Sequence, residues 1–465
     1  MSAPIIWIVV PLIISLIIYF LRTNRLLSLI IGGGSSLFLA LLAITFKIDR
    51  VFPIGPISVD LSSTLNILGR SFLITDKDRF MVTLLFSLGA FWIFGSRIAG
   101  TNSFFVSNIL AIISLFIAAL SVQPFLYAAL IIELAVLISI PIFFQRGEPV
   151  KQGVLRFLVF QTLAVPFILF SGWGFEVAPS SLDSQLAYFH AGILLAIGFG
   201  LWLAIFPFYT WVPLLAGDGH PYSAGFILSM LPTTIFIFFL EFFNNYNWLR
   251  EQLLLFSIIQ ILGIVMVVTG GLFAAFQRSL TRLLGYAVIV EIGFSLLALS
   301  LNQVIGWQSY ILVLVPRLIA IAICATAISV WKNQNLLMDI ETYKGLFYKY
   351  PFTTIGFIVG LFTISGLPLL PGFPTKLPIM IGLSEGSLYS SILVSIGLFG
   401  LFVAGFRFIA IIFSRQEVIR KENVEPPLQR IFFSIGIIIL IIMGILPSYL
   451  LNPFLSLLLA FTNLQ

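Results

Sequence analysis

The sequence has few charges, one cysteine and two histidines, and each shortage excludes a class of protein. Charged residues make up 9% of the 465, too few for the surface of a water-soluble domain. Cys324 stands alone, which excludes a disulfide framework and a cysteine-ligated cluster. With His190 and His220 as the only histidines, and no glycine motif for a phosphate or dinucleotide, we expect no metal and no cofactor on this chain.

What the sequence has in abundance is long apolar runs. Hydrophobic residues form 60% of the chain, and the mean hydropathy is +1.13. The runs lack the short alternation of a transmembrane β-barrel, and each is long enough for a helix to cross a bilayer, which takes about 20 residues. We therefore predict an all-α polytopic membrane protein with about fourteen transmembrane helices. Its location would be a bacterial plasma membrane or a thylakoid-type membrane.

The predicted spans form a single membrane domain, residues 1–465, with four parts. These are N-terminal helices in 1–100, a first half in 104–274, a second half in 281–413 and a C-terminal helix in 431–461. The first run has no basic region before it and no cleavage site after it, so we predict a retained helix. The spans are 5–21, 26–46, 79–98, 104–122, 125–144, 154–173, 187–207, 224–243, 252–274, 281–301, 309–331, 352–384, 388–413 and 431–461.

The basic residues sort to one side of these spans. With the N-terminus outside, fifteen of the 24 lysines and arginines fall in inner connections and six in outer ones, mostly in the long loop 47–78. This asymmetry follows the positive-inside rule and predicts both termini on the outer face. The net charge of +6 therefore reflects membrane sidedness, and we expect the lipid bilayer rather than nucleic acid as a partner.

The run 352–384 contains a predicted helix break. Four prolines and two glycines lie within Ser365–Pro378, and each proline removes a backbone donor and crowds the preceding turn. In a bilayer, unpaired backbone is tolerated only where it is packed in protein or lines a cavity. The residues expected to form the break are Pro368, Pro371, Gly372 and Pro374.

A second break is predicted in the first half. Phe206–Pro213 contains Pro207, Pro221 follows it, and Pro232 is expected to interrupt the next span. A proline-interrupted segment in each half is typical of transporters built from inverted repeats with a path near the bilayer midplane. We therefore predict two inverted repeats, each with a broken helix.

Four ionisable residues lie deep within predicted spans: Glu133, Glu291, Arg317 and Lys376. A charge at that depth costs about 2.5–3.5 kcal/mol and by default indicates an ion or substrate path. Arginine keeps its proton at accessible pH, so Arg317 is suited to holding a carboxylate or setting a field. The alternatives are a lysine that snorkels to the interface and carboxyls that stay protonated and hydrogen-bonded. Arg407 is expected to snorkel, and Asp218, His220 and Glu241 to face water near span ends.

Three motifs, in order and at similar separations, resemble those of one family. Phe206–Pro213 resembles Phe-Pro-Phe-His-x-Trp-x-Pro, and Gln277–Tyr286 resembles Gln-x-Asp-x-Lys-Arg-Leu-Leu-Ala/Gly-Tyr. Tyr343–Tyr348 and Ser365–Lys376 resemble the run leading into Gly-Phe-x-Gly-Lys. They are motifs of the antiporter-like membrane subunits of respiratory complex I, shared with Mrp antiporters and membrane-bound hydrogenases. The resemblance covers roughly residues 80–460, and the lysine of the last motif favours the N-type subunit.

The resemblance implies a charged axis along the membrane midplane that carries protons, driven by redox chemistry in other subunits. The family has a glutamate on its fifth span, which Glu133 matches, and a second-half lysine on a broken helix, which Lys376 matches. Glu291 and Arg317 would be further midplane charges. The implied partners are other membrane subunits of a complex I-like assembly, and the chain itself would have no redox centre.

The first half departs from the family pattern. The position of the family's first-half lysine falls on Thr234, and no lysine occurs between Gln152 and Trp331. Tyr209 replaces the histidine of the first motif, and Glu291 stands where a histidine is common. These departures concern proton pumping, and the expected fold does not depend on them.

Three functions stay open at this point. The first is a membrane subunit of an NAD(P)H or ferredoxin:quinone oxidoreductase that takes part in proton translocation. The second is an Mrp-type cation/proton antiporter subunit, which needs no redox partner. The third is a diverged structural subunit that does not conduct, for which the missing first-half lysine is the main argument.

Overall fold

The computed structural model is built from helices along nearly the whole chain. It describes residues 2–48, 51–54, 57–60, 62–67, 69–144, 151–181, 183–301, 304–334, 343–414, 424–461 and 463–464. The basic residues used to predict sidedness that lie outside the described residues are Arg50, Arg146, Arg415, Arg420 and Lys421.

The first ten helices include the first broken region, which lies between the seventh and the eighth. They are α1 Val10–Phe20, which continues a π-helical segment Ile5–Val9, α2 Arg25–Thr45, α3 Arg79–Ala99, α4 Phe105–Ser121, α5 Ala128–Ser139, α6 Gln152–Val177, α7 Ser184–Trp202, α8 Trp211–Asp218, α9 Pro221–Asn245 and α10 Asn247–Glu251.

Nine further helices complete the described chain. They are α11 Leu253–Phe276, α12 Leu280–Ser300, α13 Val304–Asn333, α14 Leu346–Lys349, α15 Pro351–Ser365, α16 Gly372–Gly386, α17 Leu388–Ile412, α18 Pro427–Ile445 and α19 Pro447–Leu451, followed by a 3-10 segment Asn452–Ala460.

Among the described residues, eleven helices are long and apolar enough to cross a membrane. Shorter apolar helices occur at Ile5–Phe20, Phe105–Ser121, Pro351–Ser365 and Pro447–Ala460. The predicted class, a polytopic helical membrane protein, is confirmed. The predicted count of fourteen spans is not confirmed, because several of the predicted spans are helices shorter than a full crossing.

The long loop 47–78 is not only a loop, because short strands form in it. β1 Val51–Ile54 pairs with β2 Ile57–Asp60, and β3 Thr64–Ile67, β4 Arg70–Leu73 and β5 Val122–Gln123 form a second antiparallel sheet. Gly69, with φ 75°, supplies the left-handed turn residue between β3 and β4. These strands leave no sign among the apolar runs of the sequence, because each is only two to four residues long.

The break predicted in the second half is present between α15 and α16. Gly366 ends α15 with φ 80°, and Leu369 also takes a positive φ of 75°. A Cβ placed on Gly372 would lie 1.7 Å from the carbonyl oxygen of Thr363, so only glycine lets α16 begin against the end of α15. Pro368 and Pro371 lie in the break, and Pro374 lies in the first turn of α16, where its missing N–H has no partner to lose.

The first-half break lies between α7 and α8, where Pro207 was predicted to break the helix. Pro221 begins α9, as a proline at a first helical position commonly does. The expectation that Pro232 interrupts its span is wrong, because α9 continues through it to Asn245. One proline removes a single backbone hydrogen bond, which tight packing on all sides of α9 tolerates.

The centre of the bundle is formed by α9, α12 and α13. In these helices 94%, 89% and 89% of the residues in an apolar 18-residue stretch are buried, whereas in α18 the share is 28%. Both broken regions pack against this centre, because α12 contacts both α8 and α16. A polar group on α12 or α13 is therefore surrounded by protein rather than lipid.

Candidate functional site

Lys376 and Glu291 form a buried ion pair. The Nζ of Lys376 donates to Oε1 of Glu291 at 2.6 Å, and the two residues are 3% and 2% exposed. The same Nζ donates to the carbonyl oxygen of Ile364 and lies 4.6 Å from the ring centroid of Phe294. Ile364 is in the last turn of α15, where carbonyls lack helical partners and the helix dipole favours a cation. The break therefore supplies half of the binding site for the lysine.

Arg317 lies beside this pair and joins the two halves of the chain. Its Nη1 donates to Ser295 Oγ at 2.7 Å, and its Nη2 donates to Thr233 Oγ1 at 3.0 Å. Ser295 lies one turn after Glu291 on α12, whereas Thr233 lies on α9 of the first half. Of the two roles expected for Arg317, holding a carboxylate is not seen, since its hydrogen-bond partners in the described chain are hydroxyls, and setting a field stays a prediction.

The three charges are kept where apolar side chains would be expected. Breaking a buried ion pair by removing one partner costs about 3–5 kcal/mol, yet replacing the whole pair by apolar residues is often neutral. Stability alone therefore does not account for Glu291, Arg317 and Lys376 at the centre of a membrane bundle. Charges in that position are characteristic of a transport path.

A small cavity borders all three charged side chains. Its volume is about 10 Å³, and Glu291, Arg317, Lys376 and Thr375 are among the residues that line it. That is about the space that one water molecule needs. Glu291 Oε2 and Arg317 Nε are buried and have no hydrogen-bond partner in the described part of the chain. One is an acceptor and the other a donor, which is the pair of groups that a single water bridges.

Glu133 lies apart from this cluster, on α5. Its Oε1 accepts from the hydroxyl of Thr162 at 2.6 Å, and Oε2 is buried without a hydrogen-bond partner among the described residues. Thr162 is exposed on the outer surface of the bundle. No described basic side chain forms an ion pair with Glu133. The predicted site residues therefore divide into a central cluster of three and one carboxyl at the bundle surface.

Thr234, at the position of the family's first-half lysine, and its neighbour Thr233 have different hydrogen-bond partners. Thr234 donates to the carbonyl of Met230 in its own helix, and it is the neighbouring Thr233 that meets Arg317. Sequence reasoning missed Thr233 and the Ile364 carbonyl, for which the sequence gives no signal. Ser295 had a signal, since it lies four residues after Glu291 and so on the same helix face.

Of the residues expected to face water, His220 is buried. It is 8% exposed, it lies just before α9, and neither ring nitrogen has a hydrogen-bond partner in the described structure. Burial, helped by the nearby positive charge of Lys332, lowers the pKa of the imidazole to about 4.

Two other charged residues near the ends of spans bind backbone groups. Asp218 accepts from the N–H of Gly153 at 2.8 Å at the start of α6, and Arg407 donates to the carbonyl of Ala275 near the end of α11.

The fold and the site together define a helical membrane protein with an ion pair and an arginine buried beside a broken helix. The chain belongs to the family described as NADH:quinone oxidoreductase/Mrp antiporter, TM, which matches residues 152–402. The matched region contains both broken segments, Glu291, Arg317 and Lys376. The resemblance inferred from the three motifs is confirmed.

Two curated relatives illustrate this family. The NADH-quinone oxidoreductase subunit N of Francisella tularensis is 28% identical over 260 residues, covering 54% of this chain and 52% of its own. The NAD(P)H-quinone oxidoreductase chain 4 1 of Synechococcus elongatus is 29% identical over 265 residues, covering 53% of this chain and 48% of its own. The matched region thus spans about half the length of these relatives.

Solved structures with the same fold cover nearly the whole chain. A chain of respiratory complex I from Thermus thermophilus with bound NADH matches with a TM-score of 0.75 and 16% identity, covering 99% of each chain. A chain of the Mrp complex from Dietzia sp. gives 0.74 and 13%, covering 99% of this chain and 97% of its own. A chain of an archaeal membrane-bound sulfane sulfur reductase gives 0.79 and 15%, covering 100% and 98%.

Proposed function

We propose that this chain is a membrane subunit of a complex I-like quinone oxidoreductase and takes part in proton translocation. The observation that carries the proposal is the buried Lys376–Glu291 pair beside Arg317, at the break between α15 and α16. The names of the curated relatives support the quinone-oxidoreductase assembly over an antiporter that acts without redox chemistry.

Lys376 is the proton carrier of the cluster. With every group ionised, two cations face one carboxylate, so the cluster has one excess positive charge in a region of low dielectric constant. Arg317 keeps its proton, so a proton leaves this cluster from Lys376. After release, Glu291 and Arg317 remain as opposite charges, and a water in the cavity between Glu291 Oε2 and Arg317 Nε provides the next step of the path.

Glu133 serves the same path at the surface of the bundle. A carboxyl in this position, held by an exposed threonine, is suited to exchange protons with a neighbouring membrane subunit that covers α5 and α6. Polar groups in membrane segments almost always face protein or a hydrated cavity rather than lipid. The partners are therefore other membrane subunits, and the excess of inner basic residues supports both termini on the outer face.

The test is proton translocation by the native complex with substitutions at Lys376. Lys376→Gln and Lys376→Arg should both abolish the part of translocation that this subunit contributes, because neither side chain releases a proton. The arginine variant preserves the charge, so it separates a proton carrier from a fixed cation. Lys344→Gln, at an exposed lysine before α14, is the matched control and should pump normally.

The same preparation distinguishes the alternatives. Co-purification of a quinone-binding subunit supports the proposal, whereas sodium-dependent antiport in vesicles without quinone chemistry indicates the Mrp type. Full pumping by an intact complex with Lys376→Arg and Glu133→Gln together would indicate a structural subunit that does not conduct.

A further inference from the structure

A second polar cavity lies at the end of the membrane helices, far from the charged centre. It has a volume of about 350 Å³ and opens where α1 ends, α2 begins and α3 ends. That volume lies in the range of about 300–1,000 Å³ typical of ligand sites. Arg22, Arg25 and Arg97 line it, and no acidic residue is among its described lining residues.

Among the described residues, the helices that form this cavity carry no acidic side chain to balance its positive charge. No aspartate or glutamate occurs in residues 1–48 or 79–132. Arg25 is also the first residue of α2, where free backbone N–H groups and the helix dipole add to the attraction for an anion.

Arg22 gives a direct sign of a missing acceptor. Its guanidinium lies 4.4 Å from the ring centroid of Tyr19 and 4.7 Å from that of Phe104, which fixes its position. Its Nη1 is buried and has no hydrogen-bond partner among the residues that the structure describes. A buried donor without a partner is costly, and more so when it is charged, so an acceptor is expected there.

The surroundings indicate which acceptor. Phe20, Leu26 and Ile30 beside the cavity are 74%, 53% and 56% exposed and present an apolar surface. The arginines lie where the apolar helices end, which is the level of lipid headgroups, and basic pockets between membrane helices bind anionic headgroups. A soluble phosphate would use the arginines but not the apolar surface.

We propose that this cavity binds the phosphate of an anionic membrane lipid, whose acyl chains lie along the exposed faces of α1 and α2. The phosphate accepts hydrogen bonds from Arg22 and Arg25, and Arg97, in the last turn of α3, supplies further positive charge. The site holds the N-terminal helices to the bilayer and does not depend on proton translocation.

The experiment is lipid retention by the full-length chain. The chain is reconstituted in nanodiscs of equal parts phosphatidylglycerol and phosphatidylcholine, returned to neutral detergent, and analysed by native mass spectrometry. Phosphatidylglycerol should be retained in preference to phosphatidylcholine. Arg22→Gln with Arg25→Gln should reduce this preference by about tenfold or more, since each basic residue near the surface contributes roughly 1 kcal/mol.

Two controls make the result decisive. Arg22→Lys with Arg25→Lys keeps the charge and should keep most of the preference, which separates lipid binding from a folding defect. Arg156→Gln with Arg278→Gln removes two exposed arginines outside the cavity and should change nothing. Equal retention of both lipids overturns the proposal, as does displacement of phosphatidylglycerol by inorganic phosphate at equal concentration. An acidic segment of a partner subunit cross-linked to Arg22 in the native complex also overturns it.

Discussion

The two broken regions have similar backbones and different side chains. Between α7 and α8, Ala204 takes a left-handed conformation with φ 53°, and between α15 and α16 Leu369 does so with φ 75°. Such a conformation costs a residue with a Cβ about 1–3 kcal/mol, so the surrounding protein holds the same kind of strain in both halves. Around the second break are Lys376, Glu291 and Arg317, whereas the end of α7 holds Trp202, paired with Gln161.

This difference teaches that the broken backbone alone does not make a charged site. The end of α15 binds a cation because Lys376 is there to meet its carbonyls. In the first half, the cation that meets Thr233 on α9 comes from the second half, since Arg317 lies on α13. The central cluster therefore contacts both halves, whereas Glu133 lies at the bundle surface, where we propose that it meets a neighbouring subunit.

The largest expected effect is the loss of the single carboxylate in the cluster. Glu291→Gln leaves Lys376 and Arg317 buried without a counter-charge and should lower the free energy of unfolding by about 3–5 kcal/mol. Glu133→Gln removes a carboxylate from the first half, where one hydrogen bond to Thr162 is at stake, and should cost about 1 kcal/mol. Denaturant titration of the purified chain in mixed micelles measures both.

A double substitution sharpens the same comparison. Glu291→Leu with Lys376→Met removes the ion pair as a unit and should recover much of the lost stability while translocation stays absent. If Glu291→Gln is no more destabilising than Glu133→Gln, the two halves do not differ in the way described.

The next effect is a loss of stability at low pH, caused by the buried His220 of the first half. Because the pKa of His220 is about 4 in the folded chain and about 6.5 when exposed, the unfolded chain binds the extra proton between these values. Stability should therefore fall as the pH drops from 6.5 towards 4, by about 3 kcal/mol in total. Thermal unfolding as a function of pH measures this loss, which His220→Asn should reduce. His190→Asn, at the exposed histidine on α7, is the control and should leave the pH dependence unchanged.

A smaller effect tests the bridge between the halves. Thr233→Val removes the acceptor of Arg317 Nη2 and should lower the free energy of unfolding by about 1–3 kcal/mol. The adjacent Thr234→Val removes a hydroxyl that bonds only its own helix and should stay within about 0.5 kcal/mol of the parent. Equal effects of the two substitutions would show that Arg317 does not depend on the first half.

The smallest effect compares carboxylates at helix N-termini. Glu425 accepts from the N–H groups of Phe352 and Thr353 at 3.1 and 2.8 Å and so holds the start of α15. Asp218 accepts from one N–H at the start of α6. Glu425→Gln should cost about 1 kcal/mol and Asp218→Asn less, because the Glu425 carboxylate accepts from two N–H groups and from the Thr353 hydroxyl, whereas Asp218 accepts from one N–H. Melting temperatures of the two variants, measured side by side, give the order.

The sequence by itself determined the class, the family and the second break. Apolar runs report membrane helices because a bilayer tolerates no unpaired backbone, and Pro368, Pro371 and Gly372 mark a break because no regular helix accommodates them. It also identified Glu133, Glu291, Arg317 and Lys376 as charges within membrane spans, because their depth in the spans follows from counting residues.

Only the tertiary structure decided which of these charges meet. Glu291 and Lys376 are 85 positions apart, and their pairing depends on how α12, α13 and α16 pack. Its residue type suited Arg317 to holding a carboxylate or setting a field, whereas packing brought its guanidinium to the hydroxyls of Ser295 and Thr233. Pro232 proved compatible with a continuous α9. Periodicity and composition fix what each helix carries, but the rotation of each helix about its axis is set by its neighbours, and that rotation decides the contacts.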